Sequence, residues 1–68
     1  MADFTKVLRG LTILDRYRPS QKVWCVSAEH DELFSEGPHP SELSAEHAKQ
    51  LLDDGWNWNA YQCWRRFT

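Results

Sequence analysis

The densest set of titratable side chains in this sequence is Glu29–His30–Asp31–Glu32. An imidazole beside carboxylates can serve as a general base or as part of a metal site. Consecutive residues of an extended segment project to alternate faces, however, so His30 cannot converge with both Glu29 and Asp31. A polar corner in which Asp31 bonds nearby backbone amides accounts for the same residues without any chemistry. The remaining soft or borderline ligands are Cys25, Cys63, His39 and His47. None of them stands at CxxC or HxxxH spacing, so no metal site is expected. Ser20, Ser27, Ser35, Ser41 and Ser44 lie outside any GxSxG elbow, and Gly10, Gly37 and Gly55 are too scattered to cradle a phosphate. These residues predict no catalytic group, no cofactor and no enzyme.

Binding chemistry is better represented. The segment from Gly55 to Thr68, GWNWNAYQCWRRFT, holds three of the four tryptophans, one of the two tyrosines and two arginines. Aromatic residues and arginine are enriched where proteins grip partners. Trp56, Trp64 and Phe67 are expected to complete a core, leaving Trp58, Tyr61, Arg65 and Arg66 as contact residues. Trp58, between two asparagines, is read as the exposed anchor of a loop. A rival surface is acidic: Glu29, Asp31 and Glu32 with Asp53 and Asp54, whose carboxylates could stand in for phosphates on a partner that binds nucleic acid.

A chain of 68 residues has room for one domain, 1–68, and buries too little surface to be stable without bulky packing or self-association. A homodimer is therefore one expected state. The formal net charge of −2 disfavours phosphate backbones, so nucleic acid is the weaker partner class. No apolar run approaches the roughly 20 residues of a membrane span. The first ten residues carry Asp3 and no apolar core, so a signal peptide is not expected. A cytoplasmic location with reduced, buried thiols follows as the expectation.

The elements that must position these residues read as αββαβ. Phe4, Val7, Leu8, Leu11, Leu14 and Tyr17 recur at steps of three and four and predict a helix over 4–17, with Asp3 as N-cap and Pro19 beyond its end. Gly10 inside that helix costs about 1 kcal/mol relative to alanine, which points to close approach by another element. Residues 22–28 predict a strand that is apolar on both faces and hence central, paired through a corner at Glu29–Asp31 with 32–36. Ser44 predicts the N-cap of a second helix over 44–54, with Ala48, Leu51 and Leu52 buried and Gly55 in the left-handed position after its end. A third strand over about 60–67 is expected beside 22–28. The fold class is α+β: a three-stranded, mainly antiparallel sheet with two helices on one face.

Trp24, His30, Asp31, Leu43–Ser44, Gly55–Trp56 and Trp64–Phe67 fall in a pattern, AeHDel…Ls.e…L…GW…W..F, that resembles small uncharacterised proteins of bacteriophages and mobile elements. The resemblance covers roughly residues 22–68. It implies a phage-type accessory protein in the host cytoplasm that binds and inhibits or redirects a host protein complex, such as a CRISPR effector, without catalysis. Two further readings compete with it. One is a nucleotide or single-stranded nucleic-acid binder using the C-terminal Trp/Arg surface, and the other is a structural homodimer.

Overall fold

Asp3 opens the first helix as its residue type requires, its carboxylate accepting the Lys6 N–H at 3.1 Å. The computed structural model describes residues 3–67, so residues 1, 2 and 68 of the expected domain lie outside it. Helix α1 runs Phe4–Asp15, two residues shorter than the periodicity predicts. Arg16 and Tyr17 instead donate to carbonyls three residues back, Ile13 and Leu14, a tightened ending. The Tyr17 hydroxyl then accepts the Ser44 N–H and hydrogen-bonds His47 Nδ1 at 2.6 Å, tying the end of α1 to the start of the second helix.

Strands β1 (Val26–Glu29) and β2 (Glu32–Ser35) form the expected hairpin, closed by Glu29 opposite Glu32. His30 occupies its two-residue turn at φ +55°. A 3-10 turn at Pro40–Glu42 leads to helix α2, Ala45–Asp53, capped by Ser44 Oγ. Gly55 takes φ +90° after α2, the conformation for which glycine was expected there. The chain then adds strand β3 (Trp56–Trp58) and strand β4 (Trp64–Phe67).

The sheet therefore has four antiparallel strands in the order β1-β2-β4-β3, not three. The expected central position of 22–28 is wrong. Its paired part begins only at Val26, all four residues of β1 are exposed, and β4 joins β2 instead. Ser27, Ala28 and Glu29 are small or charged and gain little from a second neighbour. Strand β2 brings Leu33 and the buried Ser35, whose small side chain leaves room for Trp64 opposite it.

Ile13, Leu14, Leu51, Trp56 and Trp64 make the core. Both helices lie over the sheet face that carries Trp56, Trp64 and Arg66. Gly10 of α1 rests on the Trp56 indole, whose Nε1 donates to the Lys6 carbonyl at 3.3 Å. Trp64 is seated likewise against Gly37 and donates to the Pro38 carbonyl at 3.0 Å. The buried face of α1 centres on Gly10, Ile13 and Leu14, the isoleucine widening the expected stripe, whereas Phe4 and Leu8, expected on it, are outside. Leu52 of α2 is likewise exposed, because Leu51 alone of the pair points at the sheet.

Candidate interaction surface

Strand alternation decides which C-terminal side chains meet solvent. In β4, Trp64 and Arg66 turn toward the helices, so Arg65 and Phe67 turn away. Phe34 lies opposite Arg65, Glu32 opposite Phe67, Ser27 opposite Phe34 and Glu29 opposite Glu32. Asn57 of β3 continues the row beside Arg65. One whole face of the sheet is thus left uncovered by the helices. At its centre the Arg65 guanidinium lies 5.0 Å from the centroid of the Phe67 ring, and its Nη1 is 3.4 Å from Glu32 Oε1. Arg65 Nε is shielded and has no hydrogen-bond partner. Cation–π contact and a half-exposed ion pair hold this side chain across the strands.

The loop between β3 and β4 presents one more aromatic group. Asn59 Oδ1 accepts the N–H groups of Tyr61 and Cys63 at 2.9 and 3.4 Å, while Gln62 takes φ +60°. This folded loop leaves Tyr61 88% exposed. A side chain this open, on a loop that its own asparagine holds in shape, is preorganised for contact.

Four of the sequence-derived candidates lie elsewhere than expected. Trp58 is not in a loop: it belongs to β3, faces the helices half-buried, and packs edge-on against His39 and Trp64 at centroid distances of 5.5 and 5.4 Å. Arg66 is buried, its Nε donating to the Asp54 carbonyl at 2.9 Å and its Nη1 to the Phe67 carbonyl at 3.1 Å. Asp54, only 3% exposed, receives two hydrogen bonds of 2.6 Å from Arg9 and one of 3.1 Å from Gln50. Its carboxyl is held below the usual range, chiefly by the hydrogen bond from Arg9, against the opposing effect of burial. The Arg9 guanidinium is correspondingly raised by the same bond. Asp53 is exposed, but it precedes β3 and so sits at the opposite edge of the sheet from Glu29, Asp31 and Glu32. The two acidic groups therefore do not form one face.

Phe34 and Phe67 are the contact candidates that sequence reasoning missed. The signal for Phe67 was the odd–even alternation of W-R-R-F, which sends Arg65 and Phe67 one way and Trp64 and Arg66 the other. The pairing of β2 with β4 places Phe34 on the same side as Arg65.

The cysteines also depart from expectation. Cys25 is exposed and Cys63 half-buried, so neither is a core residue. Continuing the strand registers by one residue puts Glu36 between them on the open face. Together with Ser27, Phe34 and Ser35 they line a shallow cavity of about 220 Å³. Among the described residues, no group of three or more His, Cys, Asp or Glu side chains is placed to hold a metal ion. No helix among them is long and apolar enough to cross a membrane. Comparison with protein families, with curated proteins and with solved structures returned no match.

Proposed function

We propose that this chain is a non-enzymatic protein-interaction domain whose working surface is the open face of the sheet, with Phe34, Arg65, Phe67 and Tyr61 as its anchors. The observation that carries the reading is that both helices cover one face while the other presents two phenylalanines and an arginine across adjacent strands. Aromatic and arginine side chains in such a cluster dominate binding energy at protein interfaces. Glu29, Glu32 and Glu36 border the anchors, so the face is acidic around an aromatic centre. The partner it fits is a protein with a basic surface of the kind that binds nucleic acid. The resemblance to phage and mobile-element proteins makes a host complex, such as a CRISPR effector, the partner class, and inhibition by occupancy the mode of action.

The nucleic-acid alternative keeps Tyr61 and Arg65 of its expected contacts but not Trp58, Trp64 and Arg66, which face the helices. Carboxylates share the open face with Arg65, so a protein partner is favoured. The test is affinity capture from host lysate with and without nuclease, using the parent and a Tyr61→Ala/Phe67→Ala variant. Both positions are exposed, so folding stability should hold while the captured protein is lost, with a change of at least about 2 kcal/mol in affinity. Undiminished capture by the variant, or a signal abolished by nuclease, would sink the proposal.

A further inference from the structure

Asp54 is followed by Gly55, whereas Asp3, Asp15, Asp31 and Asp53 are followed by Phe4, Arg16, Glu32 and Asp54. Only Gly55 leaves its own nitrogen unshielded by a side chain, so only there can a backbone nitrogen readily attack the preceding aspartate Cγ. In that reaction the N–Cγ bond forms and a carboxyl oxygen leaves as water, closing a five-membered succinimide. A second water reopens the ring at either carbonyl. Opening at the main-chain carbonyl gives isoaspartate, in which the chain runs through Cβ and Cγ and the carboxylate stands on Cα. Water is consumed as it was released, so the mass is unchanged and no other reactant enters.

The fold pins both reacting atoms. The Gly55 N–H donates to the Leu52 carbonyl at 3.1 Å. The Asp54 carboxylate accepts two bonds of 2.6 Å from Arg9 and one of 3.1 Å from Gln50. Asp54 has ψ 4°, which sets the Gly55 nitrogen beside the Asp54 nitrogen and away from Cβ. Ring closure needs the Cα–C bond to turn until the Gly55 nitrogen eclipses Cβ. That turn pulls the Asp54 carbonyl off Arg66 Nε, which donates to it at 2.9 Å. Arg9 also holds the carboxyl ionised, with Lys6 adding to its effect, whereas water leaves readily only from the protonated acid.

We propose that Asp54–Gly55 is the site at which this chain isomerises spontaneously, and that Arg9 sets the rate by holding the carboxylate away from the Gly55 nitrogen. The change is one-way in its effect. In isoaspartate neither the carboxylate nor the carbonyl stands where Arg9 and Arg66 meet it, so α1, α2 and β4 lose the joint they share. The open face takes no part, and the inference is independent of the partner proposed above.

The test is ageing at near-neutral pH, folded and in urea, followed by peptide mapping and enzymatic methylation of isoaspartyl carboxylates. Deamidation of Asn57 or Asn59 is told apart because it changes the mass. Isoaspartate should map to position 54 and form at least about 100-fold more slowly in the folded parent than in urea, because closure waits for the joint to open. Arg9→Gln should raise the folded rate at least about tenfold. Arg9→Lys keeps the charge without the two-pronged grip and should fall between, and it replaces Arg9→Gln if circular dichroism shows that variant unfolded. Ser44→Ala, which weakens the α2 N-cap and leaves the joint intact, controls for general loss of stability. The proposal is overturned by isoaspartate arising first at another residue or by a folded parent within about threefold of the unfolded rate. Folded Arg9 variants no faster than Ser44→Ala overturn it equally.

Discussion

Replacing Gly10 with alanine sets two effects of opposite sign against each other at one atom. Helix propensity favours alanine by about 1 kcal/mol. The added Cβ would stand 2.6 Å from Cε2 and 2.7 Å from Cδ1 of Trp56 and closer still to its Nε1, where ordinary carbon contacts exceed 3.4 Å. Trp56 is 0% exposed and belongs to the core cluster, so its indole has no open space to enter. Forcing it aside costs about 1–3 kcal/mol as overpacking. Displacement also breaks the Nε1 bond to the Lys6 carbonyl, worth about 0.5–1.5 kcal/mol. The balance is a net loss of roughly 0.5–3.5 kcal/mol, from a total stability of about 3–10 kcal/mol for a domain of this size. Near the middle of that range the melting temperature falls by about 8–16 °C. Thr5→Ala on the exposed side of α1 is the control, because it raises helix propensity without meeting Trp56. Thermal melts by circular dichroism, with near-ultraviolet spectra to report the indole, measure both. A Gly10→Ala protein as stable as the parent, or more so, refutes the seating of Trp56 on the helix.

Asp54 gives a pH prediction. Its folded pKa lies below the unfolded value, so its stabilisation is complete above about pH 4 and is lost as pH falls through the folded value. Asp54→Asn should lower stability near neutrality and flatten the acid limb of the stability profile, and a variant with the parent's full acid dependence would contradict the assignment. For the thiols, Cys25 should react quickly with a thiol reagent in the native state and Cys63 more slowly, the latter accelerating in denaturant. No intramolecular disulfide should form under oxidant, since an intervening strand separates the two by about 9–10 Å, beyond the span a disulfide bridges. Faster labelling of Cys63 than Cys25, or a native intrachain disulfide, would count against the sheet order.

Local features of this fold were legible where one residue type answers one backbone demand. Asp3 and Ser44 cap their helices, Gly55 adopts its left-handed conformation, and Gly10 marks a close approach. The hairpin at Glu29–Glu32 belongs to the same class. Strand order was not legible, because which neighbour β4 chooses depends on packing between segments more than 25 residues apart. The apolar look of 22–28 misled for a related reason. Val23 is exposed and Trp24 serves the groove beside α1, so neither side chain needed a second strand. Strand β3 was hidden by the asparagines around Trp58, although W-N-W has the period of a strand and Asn59 begins a turn.

The two arginines at positions 65 and 66 look equivalent in the sequence and do opposite work. Asp54 sits at the C-terminal end of α2, where a carboxylate meets the negative end of the helix dipole and is disfavoured. Arg66 Nε accepts that location by donating to the Asp54 carbonyl, and Arg9 neutralises the carboxylate from α1. Position 66 is therefore committed to joining two helices and a strand. Position 65, one residue earlier and on the other side of the sheet, touches neither helix end, and its guanidinium is shared between Phe67 and Glu32 on the open face. Arg66→Ala should unfold or loosen the domain, whereas Arg65→Ala should leave it folded and reach only what the open face contacts. Strand parity thus separates the residues that build this domain from those free to bind, and it does so within a single four-residue strand.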